Sequence, residues 1–175
     1  MLNKILKYVG IVLAVLTGLP LVAAPLVYTV KVLGNTDSSA FGLFEDLEGM
    51  DVLVKDFNPF WIHALQVLVI TCFAIACAML VLALLNDLKV LKLQKIEKLL
   101  ATILMVVGLV ALITVIVNQF ANSHYEAAEV AGKDVGSGSG LVANVLGWLF
   151  PVFALVGSGL VFAMVDTKKK SKKRK

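Results

Sequence analysis

Few residues in this 175-residue chain could do chemistry, and they form no recognised catalytic pattern. His63 and His124 are far apart in the sequence, whereas zinc sites need three or four ligands at recognisable spacing. The acidic cluster Glu45-Asp46-x-Glu48 lacks the spacing of a calcium-binding hand. We find no Ser–His–Asp set and no glycine-rich phosphate loop. The sequence therefore predicts no enzyme, no metal site and no cofactor.

The two cysteines, Cys72 and Cys77, do not predict a disulfide. Residues five apart on a helix point roughly 140° away from each other. Both lie in an apolar stretch, where cysteine is a small packing residue.

Ionisable residues are missing from the middle of every long apolar stretch. Proton relays, ion-coupled transporters and intramembrane proteases generally need such groups within the membrane, so the sequence argues against these classes. The polar residues that remain are expected to bond their own helix backbone: Thr17, Thr71, Thr102, Thr114 and Ser158.

The elements that must position these residues are four stretches without Asp, Glu, Lys or Arg: 8–30, 57–86, 99–125 and 135–165. The chain is 59% hydrophobic and only 16% charged, and a membrane-spanning helix needs roughly 20 apolar residues. We therefore predict an all-α integral membrane protein, a four-helix transmembrane bundle. We predict a single membrane domain over 1–167, followed by a basic tail, 168–175. The four spans of the domain lie at about 8–31, 59–85, 99–120 and 141–165. The outer loops lie at about 32–58 and 121–140, and the inner loop lies at about 86–98.

The first span resembles a signal peptide, since Val22-Ala23-Ala24 fits a small-residue cleavage pattern. Pro25 would follow the cut and block it, so we expect this helix to be retained. Pro20 and Pro25 are expected to kink it, with Thr17 as a local partner for the opened turn.

Charge sets the predicted orientation, because Lys and Arg mark the cytoplasmic side. The first outer loop carries six acidic residues and one lysine, whereas the inner loop carries four lysines and two acidic residues. We expect a multi-pass protein of the plasma membrane with both termini cytoplasmic. The lack of N-glycosylation sequons and of cysteines outside the membrane favours a bacterial source.

The basic tail is explained by orientation alone. It would also attract the anionic inner leaflet at roughly 1 kcal/mol per basic residue near the surface. A specific acidic partner remains an alternative; nucleic acid is not expected, because no aromatic residues are interleaved for base stacking. The residues concerned are Lys168, Lys169, Lys170, Lys172, Lys173, Arg174 and Lys175.

Small residues recur at four-residue spacing and would let helix backbones approach closely. They could pack within the bundle or against a partner or second copy. The first and fourth spans carry most of them, Gly10, Ala14, Gly18, Ala143, Gly147, Ala154 and Ser158, and the second carries Ala74 and Ala78.

The first outer loop is expected to form a small extracytoplasmic cap. Ser39 would begin a short helix through Glu48, with Phe41, Phe44 and Leu47 as its contact face. The Gly-Ser run 136–140 has a flexible-linker composition.

These features predict a structural or accessory membrane subunit that acts through helix and loop contacts with a membrane-protein partner or with itself. The alternative is a small channel or transporter component formed on oligomerisation. Four spans with the larger outer loop first is similar to the topology of claudin-like tetraspans. The Trp and Cys signature of that loop is missing, and shared topology implies no function.

Overall fold

A computed structural model describes residues 2–22, 28–30, 39–41, 60–88, 93–121, 124–125, 128–130, 133–135, 138–139, 141–143 and 145–172. Helix α1 (Leu2–Val15) continues as a 3-10 helix (Leu16–Leu21), and the later helices are α2 (Phe60–Asp87), α3 (Gln94–Ala121) and α4 (Val145–Lys172). All four helical segments contain a stretch long and apolar enough to cross a membrane. The prediction of four apolar spanning helices is confirmed to this extent.

The first helix is displaced relative to the predicted span 8–31. It begins at Leu2, so Lys4 and Lys7 lie on the helix and not before it, and the helical segment ends at Leu21. Pro20 explains the change from α to 3-10 geometry, because its ring removes one backbone hydrogen bond and clashes with the preceding turn. The Thr17 hydroxyl donates to the carbonyl of Ala14 at 2.7 Å.

Short strands, and not helix, form the end of the first predicted span and the start of the fourth. Strands β1 (Tyr28–Val30), β2 (Ser39–Phe41) and β7 (Leu141–Ala143) form an antiparallel sheet in the order β2-β1-β7. Tyr28 faces Phe41 on one side and Ala143 on the other. Tyr, Thr and Val, which form β1, favour strands. The apolar character of β1 and β7 had predicted helix at these positions. The predicted helix beginning at Ser39 is wrong over its first residues, and Phe44 and Leu47 lie outside the described residues.

Two further strand pairs lie between α3 and α4. Strand β3 (His124–Tyr125) pairs with β6 (Gly138–Ser139), and β4 (Ala128–Val130) pairs with β5 (Lys133–Val135). Part of the Gly-Ser run is therefore strand, although its composition is typical of a flexible linker.

The chain forms two compact units. The first holds 1–18, 68–110 and 150–175; the second holds 19–67 and 111–149, with all seven of these strands. Each is described by itself. In the second, the buried apolar side chains of the described residues include Ile62, Leu65, Ala111 and Val115.

Alanine makes up half of the main apolar core of the first unit. All four helices contribute to this core of ten residues: Ile11, Ala14, Cys72, Ala76, Met79, Ala83, Ala101, Leu104, Ala154 and Val161. Small residues allow backbones to approach closely, as helices do in membranes.

Large apolar side chains lie on the outside of the same unit. Water-soluble proteins bury such side chains in preference to small ones, so this distribution suits an apolar surrounding. The exposed residues include Ile5, Val9, Val12, Ile70, Val81, Leu84, Ile96, Leu99, Ile103, Val106, Leu109, Val110, Val152 and Val156.

Glycines create the contact between α1 and α4. A Cβ on Gly157 would lie 2.6 Å from the Ala14 nitrogen and from the Gly10 oxygen. A Cβ on Gly10 would lie 2.8 Å from the Gly157 oxygen. Any side chain at these positions would force the two backbones apart.

Candidate functional site

Six charged or polar side chains of the first unit meet where α2 ends and α3 begins. We call Lys4, Lys7, Tyr8, Asn86, Asp87 and Glu97 the ionic cluster. Helix α1 supplies the first three, the last turn of α2 supplies the next two, and Glu97 lies in the first turn of α3.

Lys7 and Glu97 form a buried ion pair at the centre of the ionic cluster. Lys7 Nζ lies 2.8 Å from Glu97 Oε1, and the two side chains are 10% and 1% exposed. The contact is an ion pair, and Oε1 has no hydrogen-bond partner among the described residues. Removing either side chain would strongly destabilise the fold, because the other charge would remain buried without a counter-ion.

Asp87 joins α2 to two side chains of α1. The Tyr8 hydroxyl donates to Asp87 Oδ2 at 2.8 Å, and Lys4 Nζ lies 3.1 Å from the same oxygen. Lys7 Nζ also lies 5.7 Å from the centre of the Tyr8 ring, within cation–π range. Both basic residues of α1 are thus engaged by acidic residues of later helices.

Asn86 holds the connection between α2 and α3. Its Nδ2 donates to Glu97 Oε2 at 2.9 Å, and its Oδ1 accepts from the Leu93 backbone at 2.7 Å. The Leu93 carbonyl in turn accepts from the backbone of Ile96 and Glu97. Glu97 is therefore held by Lys7 and by Asn86. Its negative charge is also favourable in the first turn of a helix.

Helix α4 borders the same region. Lys98 Nζ lies 4.4 Å from the centre of the Phe162 ring. A cavity of about 50 Å³ lies against the ionic cluster and is also lined by Asn3, Gln94, Met164 and Val165. It has room for a few water molecules, which the polar lining would hold.

The ionic cluster joins helices through ion pairs and hydrogen bonds. Two lysines are matched by two carboxylates, and each carboxylate touches α1. The arrangement ties α1 to the junction of α2 and α3 at one end of the first unit.

The sequence did not reveal this cluster. Charge patterning places Lys4 and Lys7 at the cytoplasmic N-terminus and Asp87 and Glu97 in the inner loop, without pairing them. One available signal was that these two are the only acidic residues in an otherwise basic inner loop. Pairing them with residues some 80 to 90 positions earlier requires the tertiary structure.

The predicted small-residue positions lie mostly inside the chain. Gly10, Ala14, Gly18, Gly147, Ala154 and Ser158 are all buried. A Cβ at Gly18 would overlap the Phe73 ring. Ala143 lies in β7 and not in a helix. Gly157 makes the tightest approach to the backbone of another helix, and the four-residue spacing did not identify it.

The hydroxyl groups behave as expected where their bonds are described. Thr17, Thr102 and Ser158 each donate to a carbonyl of their own helix. These bonds confirm the prediction for the three residues.

The remaining candidates do not assemble into a site. His63 contacts Gln66 one turn away, with Nδ1 and Oε1 3.0 Å apart, and His124 lies in β3. Cys72 and Cys77 are free thiols. Within the described ranges, no three His, Cys, Asp or Glu side chains are grouped as metal ligands. Phe41 lies in β2; of the tail, 168–172 lie in α4, and Lys173, Arg174 and Lys175 lie outside the described residues.

The chain matches no protein-family model, and no curated protein is similar enough to be counted as a relative.

Proposed function

We propose that the chain is a four-span integral protein of the plasma membrane and works as a structural or accessory subunit. The observation that carries the proposal is the large number of exposed large apolar side chains on the first unit, around a core in which half of the residues are alanine. Extended exposed apolar surfaces mark membrane or protein interaction sites, and lipid or other membrane helices would cover this one.

The proposed orientation places the ionic cluster at the cytoplasmic end of the helices. Lys4 and Lys7 precede the apolar part of α1, and the four lysines of the inner loop flank Asp87 and Glu97. Positive charge on this side follows the positive-inside rule. In this orientation the loops predicted at about 32–58 and 121–140 are extracytoplasmic, and the first of them is proposed to form the cap.

Contact with a partner needs a surface that the chain leaves exposed. The small residues of α1 and α4 are used within the chain, whereas Ala74 and Ala78 on α2 are exposed. A small-xxx-small pair is compatible with close helix approach. We therefore assign the partner contact to the face of α2 that carries these two alanines.

The alternative of a pore through one chain receives no support from the first unit. Its core is made of apolar side chains, and the buried hydroxyls Thr17 and Ser158 are bonded to their own helix. A conducting path would have to form between copies.

Topology is tested first, with a reporter that is active only in the cytoplasm and one active only outside. Fused after Lys175, the cytoplasmic reporter should be active; inserted at Ser137, the external reporter should be active. The reverse pattern would overturn the orientation, and a chain released from membranes by alkaline carbonate would overturn insertion.

Accessory function is tested by the mass and composition of the particle extracted from its native cell in mild detergent. A second polypeptide at constant stoichiometry, lost in an Ala74→Leu/Ala78→Leu variant, is the expected result. The matched control is Val106→Leu/Val110→Leu, an exposed pair at the same four-residue spacing on α3. A homogeneous particle of this chain alone would contradict the accessory role.

A further inference from the structure

We propose that the cavity beside the ionic cluster is a binding site for an ordered water molecule, which donates a hydrogen bond to Glu97 Oε1. This water is then an integral part of the ionic cluster, because it completes the hydrogen bonding of a buried carboxylate and joins α3 to α1. The site belongs to the packing of the first unit, and it would be the same in either orientation of the chain.

The carboxylate of Glu97 is only half satisfied by the side chains around it. The Glu97 side chain is 1% exposed, and its Oε2 accepts from Asn86 Nδ2 at 2.9 Å. Its Oε1 lies 2.8 Å from Lys7 Nζ, yet it has no hydrogen-bond partner in the part of the chain that the structure describes. Leaving a buried acceptor without a donor costs free energy. A small donor that reaches Oε1 would therefore stabilise the cluster.

The cavity of about 50 Å³ gives such a donor access to Glu97. The buried residues Lys7 and Glu97 line it, and so do the exposed residues Asn3 and Gln94. A water molecule needs roughly 10–15 Å³ and about two to four polar partners. The ammonium, the carboxylate and the two amides supply both donors and acceptors. Water can enter on the side of the exposed residues while the helices stay packed.

The charges around the cavity select a neutral ligand. The two lysines that line it, Lys4 and Lys7, are each paired with a carboxylate. A cation in the cavity would meet two ammonium groups, and an anion would meet two carboxylates. Met164 and Val165 line the α4 side and carry no charge. Water donates and accepts without adding a charge, so it fits this balanced set of groups.

The direct test is a crystal structure of the full chain at a resolution that shows ordered water. The expected result is a water oxygen about 2.5–3.0 Å from Glu97 Oε1, with a second polar contact to Lys7, Asn3 or Gln94. Direct donation to Oε1 by a protein group would overturn the site. A cavity without water, or one that holds an ion, would overturn it as well.

Filling the cavity provides a second test in solution. Val165→Leu adds one methylene group on the apolar side of the cavity and should displace the water from Oε1. We expect the folded-to-unfolded ratio, measured by titration with a denaturing detergent, to fall about tenfold, as an unsatisfied buried acceptor requires. In a Lys7→Met/Glu97→Met background, the same substitution should leave the ratio unchanged or raise it, because no buried carboxylate remains there.

The matched control is Val156→Leu, the same substitution at an exposed position of α4 that does not line the cavity. It should change the ratio in neither background. An equal loss from Val165→Leu in both backgrounds would reject the water site, since only the fit of the added methylene group would then matter. If Val165→Leu gives no folded protein in either background, the crystal structure of the unsubstituted chain decides.

Discussion

Lys7 and Glu97 form the residue-scale feature with the largest energetic consequence. Each is almost fully buried, and each is the other's counter-ion. Truncating one partner of a buried pair is expected to destabilise by about 3–5 kcal/mol, because the remaining charge stays buried. We expect Glu97→Gln and Lys7→Met each to lower the free energy of unfolding by this amount, measured by titrating the detergent-solubilised protein with a denaturing detergent.

The double variant Lys7→Met/Glu97→Gln is the control for that prediction. It removes both charges and keeps side chains of similar size, so it should recover most of the lost stability, as apolar replacements of buried pairs often do. If the losses of the single variants simply add, the two side chains act independently and the ion pair does not fasten α1.

At the scale of elements, the fit of α4 against α1 depends on one glycine. Gly157→Ala would place a methyl group 2.6 Å from backbone atoms of α1. Overpacking of this kind costs about 1–3 kcal/mol, and backbone atoms cannot give way as a flexible side chain can. We expect a matching loss of unfolding free energy, measured in the same titration.

Gly159→Ala provides the matched control, since the same methyl group two residues later meets nothing within 4 Å. Alanine is also the better helix former by about 0.5–1 kcal/mol, so this change should be neutral or stabilising. Equal effects of the two substitutions would mean that helix propensity governs the response and that the close approach of α1 and α4 does not.

At the scale of the whole molecule, the proposed insertion depends on the apolar exterior. Leu109 is 51% exposed and lies on α3, at the middle of the predicted span 99–120. Leu109→Asp should disfavour insertion of α3 by about 2.5–3.5 kcal/mol, the cost of an aspartate near the membrane centre. A glycosylation-tagged insertion assay would measure this as a reduced inserted fraction, and Leu109→Ile should behave like the wild-type chain.

At the same scale, we expect the basic tail to act on orientation. Deleting Lys168–Lys175 removes seven of the chain's 16 basic residues, so we expect a population with an inverted last helix, or a reduced amount of protein. The reporter fused at the new C-terminus measures both. Replacing every tail lysine by arginine keeps the charge and should change neither. If orientation and amount survive the deletion while a co-purifying partner is lost, the tail is a binding segment.

Hydropathy alone predicted the long apolar helices, because about 20 consecutive apolar residues form a helix long enough to cross a membrane whatever its neighbours are. The four long apolar helices and the local bonds of Thr17, Thr102 and Ser158 followed from hydropathy and helical periodicity. The ends of the helices did not follow, since apolar residues such as Tyr28–Val30 pair as a strand as readily as they extend a helix.

Only the tertiary structure decided which charges and which small residues meet. Lys7 and Glu97 pair across a long sequence separation, and nothing local to either residue distinguishes a buried ion pair from two solvated charges. Gly157 likewise gains its importance from Gly10 and Ala14 on another helix. The local sequence pattern determines which secondary structure a segment is able to form. Which other segment it packs against is decided by the tertiary structure.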